Sequence, residues 1–243
     1  GPEGSKLGGE RRKLTILTSD IRGFTAQSER LSPEEVIKII NLYLGYMTDV
    51  ITKYQGTIDE FMGDGILVLF GAPIAREDDA ERAVACAIAM QLTMSTINDK
   101  MKELNLPPLA TGIGINTGEV VVGNIGSETR CKYGVVGSQV NLTYRIESYT
   151  TGGEIFISEA TLKELGSSVR IDGKKQVLAK GVKEPFTIYQ IGGSNGEYNL
   201  FLPQEEEVFF PLPAENPIQY MLIQEKHLSQ TLFQGSLVTL SDK

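Results

Sequence analysis

The sequence predicts an α+β fold, a mainly antiparallel sheet flanked by helices. Three observations point there. Two β-prone runs, residues 57–61 and 66–70, flank Met62-Gly63-Asp64-Gly65 in the manner of a hairpin. A second such pair, residues 109–116 and 120–124, surrounds Thr117-Gly118-Glu119. Two long helical patterns intervene without the strict strand–helix alternation of a parallel α/β fold.

Each element follows from its residues. Residues 1–10 are Gly-rich, and Gly1-Pro2 resembles a protease scar, so this stretch is set aside as a tag or linker. Residues 13–19 read as a buried strand running straight into Asp20-Ile21-Arg22-Gly23-Phe24-Thr25. Ser32-Pro33-Glu34-Glu35 supplies an N-cap, a proline at the first helical position and a capping-box glutamate. The apolar positions Val36, Ile39, Ile40, Tyr43, Met47, Val50 and Ile51 keep helical spacing, and Gly56 is a natural stop. A long helix over residues 78–105 ends at Pro107-Pro108. A strand at 132–136, a helix at 138–149, a strand at 154–157 and a short helix after Ser158 follow. Strands near 174–179 and 186–191 complete a domain over residues 11–193. Residues 192–199 read as a linker, so 194–243 is linker and C-terminal extension. With Glu205-Glu206-Glu207 and prolines at 211, 213 and 217, that extension is either the truncated start of another module or a strap on the main domain.

Composition narrows the chemistry. The 243 residues are 41% apolar and 22% charged, ordinary for a globular chain. The single histidine, His227, lies in the extension, which excludes a His-rich zinc site and leaves a serine or cysteine hydrolase only that residue as its base. Cys86 and Cys131 are far apart and read as reduced cytosolic thiols. A formal net charge of −8 argues against a nucleic-acid-binding surface. The longest apolar runs are far too short to span a bilayer and no secretory pattern opens the sequence, so a cytoplasmic protein without membrane insertion is expected. Carboxylate chemistry remains.

Two carboxylates are placed for it. Asp20 ends a buried strand just before a glycine-containing turn, and Asp64 sits between two glycines at a hairpin tip. Such positions suit a hard divalent cation while nearby backbone closes on phosphates, although aspartate also favours turns for purely local reasons. Further on, Asn141 and Arg145 are four apart on one helical face after Gly137. That spacing serves either a solvated polar pair or an asparagine that orients a sugar beside an arginine that holds a phosphoryl group.

Taken together, Asp20-Ile21-Arg22-Gly23-Phe24-Thr25, Phe61-Met62-Gly63-Asp64-Gly65, the run 112–118, and Gly137-x-x-Val140-Asn141-x-x-x-Arg145 resemble the class III nucleotide cyclases in order and spacing, over about residues 11–191. The resemblance implies a ferredoxin-like core and two Mg²⁺ or Mn²⁺ ions held by Asp20 and Asp64, with the carbonyl of Ile21 as a further ligand. It implies a phosphate cradle at Gly23, Phe24 and Thr25, a ribose-orienting Asn141, a transition-state Arg145, and Lys180 on the terminal phosphates. It also implies a head-to-tail homodimer with two composite sites. One departure stands out: many relatives carry a phosphate-binding arginine where this chain has Gly112, so either Lys180 or Arg130 offsets the loss or triphosphate binding is weaker.

Two further positions in the resemblance read the purine, and here they are Glu60 and Gly134 rather than lysine and aspartate or threonine. A carboxylate accepts from guanine N1–H and N2–H but faces adenine N1 with no proton to share. The expected activity is therefore conversion of GTP to cyclic GMP and pyrophosphate, with an adenylate cyclase as the alternative. A palm-type nucleotidyl transferase would not need the Asn141/Arg145 helix, and a degenerate binding or dimerisation module would have lost an aspartate or the arginine.

Overall fold

In the computed structural model, which describes residues 7–166, 169–178 and 183–204, the chain opens with a 14-residue strand, β1 (Gly8–Ile21), buried from Leu14 through Ser19. A single helical turn, α1 (Phe24–Ser28), and the longer α2 (Pro33–Lys53) follow. The α2 start is a complete capping box: Glu35 N–H donates to the Ser32 hydroxyl at 3.2 Å and Ser32 N–H donates to the Glu35 carboxylate at 3.1 Å. Such a cap contributes about 1 kcal/mol. Ile39, Tyr43, Met47 and Ile51, one turn apart, form the buried stripe of this helix.

The hairpin β2 (Thr57–Met62) and β3 (Gly65–Phe70) leads through the helix α3 (Asp79–Glu103) to β4 (Thr111–Gly126). Then come β5 (Cys131–Val136), α4 (Ser138–Ser148), β6 (Ile155–Ser158), α5 (Glu159–Glu164), β7 (Val169–Val177), β8 (Phe186–Ser194) and β9 (Leu200–Phe201). The sheet order is β2-β3-β1-β4-β6-β8-β7, with β5 added to β4 and β9 to β8. Among the described residues only the β4–β6 pairing is parallel, so the sheet is mainly antiparallel, as expected.

Both sheet faces are covered near the centre. Val68 and Phe70 join Leu17, Ile113 and Ile115 against α2 and α3, while Leu67 and Leu69 join Leu14, Ile16, Val120 and Val140 on the opposite face. Period-two alternation with apolar residues at every position is what burial on both faces demands.

Three expectations need correction. The second hairpin does not exist: residues 111–126 form one strand, paired with β1 without a break from Gly8↔Asn124 to Ile21↔Thr111. Thr117-Gly118-Glu119 has turn composition, but Gly118 serves close packing, since a Cβ there would stand 2.6 Å from Gln139 Cγ. Residues 8–10 are likewise strand rather than linker, because that long β4 gives them a partner. Finally, β8 continues through the expected linker to Ser194, and the chain then returns along it as β9. Leu202 N–H donates to the Gly192 carbonyl at 2.7 Å, Tyr198 Oη donates to Asp78 at 2.8 Å, and Leu200 and Leu202 pack on the core. The acidic and proline-rich part of the extension, with His227, lies outside the described residues, as does Lys180.

Candidate active site

Asp20 and Asp64 are brought together by the β1–β3 pairing. Ser19 lies opposite Ile66, so the end of β1 meets the tip of the β2–β3 hairpin. The Ile21 N–H donates to Asp64 Oδ2 at 2.8 Å. Gly63 (φ 60°) makes the tight turn that aims Asp64 back, and Gly23 (φ 70°) turns the chain into α1 with Phe24 buried beneath it. A buried relay fixes the strand end: Tyr43 Oη and Thr111 Oγ1 are 2.7 Å apart, and Thr111 Oγ1 donates to the Asp20 carbonyl at 2.7 Å.

The electrostatics of this corner favour a cation. Burial pushes the Asp64 carboxyl above the usual range; the Ile21 N–H opposes this and the Asp20 charge reinforces it. Arg22 supplies positive charge at this corner. Its Nε donates to Asp20 Oδ1 at 2.8 Å, its Nη2 binds both Asp20 and Glu147, and its Nη1 donates to the Thr150 carbonyl at 3.3 Å. Glu147 is raised to about 8, by burial first and the Asp20 charge second, against the pull of Arg22. Two adjacent carboxylates and a backbone carbonyl are hard oxygen donors that leave remaining positions to water and phosphate. That donor set fits Mg²⁺ or Mn²⁺.

Arg22 also accounts for Gly112. A Cβ on residue 112 would lie 2.0 Å from Thr150 Oγ1 and 3.0 Å from Arg22 Nε, so the space beside Asp20 is already occupied. Arg22 lies inside a motif read for its aspartate and glycine. Nothing in the sequence showed that its guanidinium folds back onto Asp20.

Glu60 and Gly134 line a separate open cavity of about 280 Å³, together with Asp59, Lys132, Val140 and Tyr144. Lys132 Nζ donates to Glu60 Oε2 at 3.1 Å and to the Asp59 carbonyl at 3.2 Å, with Asp59 Oδ2 at 3.6 Å. Burial would lower the Lys132 pKa, but the Glu60 hydrogen bond and the two carboxylate charges leave it raised. Sequence reading missed Asp59 and Lys132. Lys132 is two residues before Gly134 on one strand face, a legible signal; the register shift that brings Asp59 in is not.

Helix α4 borders this cavity. Gly137, at φ 147° where a side chain would be strained, starts the helix, and Val140, Thr143, Ile146 and Glu147 form its buried face. Asn141 and Arg145 are both exposed on the outward face, and Tyr144 between them lines the cavity. The Tyr144 hydroxyl is raised to about 12 by burial and then by the Glu60, Glu147 and Asp59 charges. Among the described residues, neither Asp20 nor Asp64 lines the cavity. The candidate metal ligands thus lie outside the lining of the candidate base pocket.

A mixed sheet that carries paired aspartates at a strand end and an Asn/Arg helix beside an acidic pocket has the architecture of nucleotide cyclase catalytic domains. The crystal structure of the guanylyl cyclase Cya2 superposes with a TM-score of 0.79 at 63% identity, covering 81% of this chain and all of that one. The adenylyl cyclase CyaB from P. aeruginosa gives 0.73 at 40% identity, covering 78% and 98%. Residues 9–193 match the Adenylate and Guanylate cyclase catalytic domain family, and the chain belongs to that family. Among curated relatives, Adenylate cyclase 1 of Rhizobium meliloti is 32% identical over 198 residues and the adenylate cyclase of Anabaena cylindrica 35% over 190. The alignments take in 79% and 74% of this chain but only 30% and 37% of those proteins.

Proposed function

We propose that this cyclase domain converts GTP to 3′,5′-cyclic GMP and pyrophosphate, at two composite sites of a homodimer. The observation that carries the guanine assignment is Glu60, held in a pocket with a second carboxylate and one ammonium. The pocket is net negative, which suits the N1–H and N2–H donor edge of guanine and disfavours adenine N1. Lys132 orients the Glu60 carboxylate through its hydrogen bond, and Gly134 places no acceptor against O6. The likeness to a guanylyl cyclase at 63% identity supports the same reading. The alternative, ATP to cyclic AMP, draws on the curated relatives, which are named adenylate cyclases.

In this reading Asp20, Asp64 and the Ile21 carbonyl hold two Mg²⁺ or Mn²⁺ ions. Those ions, when bound, lower the pKa of the attacking hydroxyl and neutralise the leaving pyrophosphate. The chain's own residues do the rest. The backbone at residues 23–25 and Lys180 bind the β- and γ-phosphates, and Asn141 orients the ribose so that its 3′-oxygen faces the α-phosphorus in line with the leaving group. As the O3′–Pα bond forms and the bond to pyrophosphate breaks, Arg145 answers the charge gathering on the α-phosphoryl oxygens. The resemblance implies a head-to-tail dimer, in which a second copy brings the Asn141/Arg145 half of one protomer to the Asp20/Asp64 half of the other. The test is product identity at equal GTP and ATP. Faster release of cyclic GMP supports the guanine reading, and faster release of cyclic AMP replaces it with the alternative.

A further inference from the structure

Asp59 enters the reading above only as the second carboxylate of the base pocket. In regular β-structure, residues 59 and 60 would point to opposite faces of the hairpin. The β2–β3 register shifts between Ile58 and Glu60, and this bulge brings two consecutive carboxylates to the same lysine. They are not equivalent. The Asp59 side chain is 4% exposed, against 39% for Glu60 and 50% for Lys132. Its Oδ1 is fully buried with no hydrogen-bond partner among the described residues, and lies 3.9 Å from where a Cβ on Gly134 would stand. A buried carboxylate with an unpartnered oxygen is costly and calls for a reason.

The geometry of Lys132 supplies it. An ammonium has three donors. One goes to Glu60 and one to the Asp59 carbonyl, while the Asp59 carboxylate stands 3.6 Å from the same charge. We infer that Asp59 is a positioning residue that sets base specificity: by sharing Lys132, it keeps the Glu60 carboxylate available to a guanine edge. Without the Asp59 charge, the ammonium belongs to Glu60 alone. It then competes with guanine N1–H and N2–H for the same oxygens, the pocket becomes neutral, and a donor is free for adenine N1. The inference rests on the guanine reading and deepens it.

The test is a double-mutant cycle on Asp59 and Lys132. Asp59→Asn keeps the shape and removes the charge. With both triphosphates, kcat/KM is measured for the unmodified protein, Asp59→Asn, Lys132→Met and the double variant, and binding of the non-cyclisable 3′-deoxy-GTP and 3′-deoxy-ATP is measured by calorimetry. Asp59→Asn is expected to lower the GTP-to-ATP ratio of kcat/KM about tenfold, through KM rather than kcat, and to shift the two binding constants in parallel. On the Lys132→Met background the same change should move the ratio less than about twofold, since no ammonium is left to share. Asp59→Ser, with the same expected shift, stands in if the asparagine variant does not fold. A GTP-preferring protein whose ratio ignores the loss of Asp59, or shifts equally without Lys132, overturns this inference and leaves the guanine reading intact. An unmodified protein that prefers ATP overturns both.

Discussion

Replacing Glu60 by lysine is the sharpest perturbation of the base pocket, and the structure sets its size. The change removes the carboxylate that faces the guanine donors, and an unpaired polar edge costs about 1–3 kcal/mol, or roughly ten- to a hundredfold in kcat/KM for GTP. It also puts a second ammonium beside Lys132, a like-charge contact of about 1 kcal/mol at 4 Å in a water-like dielectric. Because Asp59 stays in reach of Lys132, that repulsion is partly offset and the domain should fold normally. Glu60→Lys alone should therefore cut GTP turnover without creating a good ATP site. Gain of ATP turnover needs an acceptor for the adenine amino group, and residue 134 is the place for it. Threonine suits that position better than aspartate, because a side chain there points toward the buried Asp59 Oδ1, to which a hydroxyl can donate and which a carboxylate would repel. The nearest obstacle, Ile125 Cδ1 at 3.2 Å, is the end of a half-exposed side chain and can shift. The assay is chromatographic separation of cyclic GMP and cyclic AMP from equimolar GTP and ATP with Mn²⁺. Glu60→Lys with an undiminished preference for GTP would refute the assignment of Glu60 to the base.

Asp64→Ala and Arg145→Ala should each be nearly inactive, whereas their mixture should recover up to about a quarter of full activity, since half the random dimers are mixed and each of those has one intact site; confirmed mixed dimers without recovery would refute the composite site. Removing residues 205–243, and His227 with them, should leave kcat within an order of magnitude. Cutting back to residue 194 should instead lower the melting temperature, because Leu200, Leu202 and the Tyr198–Asp78 hydrogen bond are lost from the core edge, a change worth about 2–4 kcal/mol. Tyr43 is fully buried and raised from 10.0 to about 12, so the folded state favours its neutral form. Its contribution is complete below pH 10 and disappears as the pH rises to about 12, a loss of roughly 2–3 kcal/mol readable in alkaline urea titrations; Tyr43→Phe should flatten that slope.

Much of this protein was legible in its local sequence. The α2 capping box and its apolar stripe, the Met62-Gly63-Asp64-Gly65 turn and the Gly137 start of α4 all depend on interactions within a few residues, so composition and spacing suffice to read them. The mostly antiparallel sheet followed from the first hairpin, whereas the second hairpin that also pointed to it is one continuous strand. What failed were inferences that depend on a distant partner. Thr117-Gly118-Glu119 has the composition of a turn, yet β1 offers an unbroken partner and Gln139 requires the glycine, so the chain runs straight. Residues 8–10 look like a linker until β4 extends far enough to pair with them.

The site divides in the same way. Asp20, Asp64, Asn141 and Arg145 stand out as candidates by residue type and spacing, whereas Glu60 stands out only through the resemblance to the cyclases. Tertiary structure alone decided that Arg22 turns back onto Asp20 and fills the space beside Gly112, and that a register shift turns Asp59 toward Lys132. Both depend on which strands lie side by side and on a one-residue offset between them. Long-range pairing sets those quantities, and no local stretch of the chain encodes them.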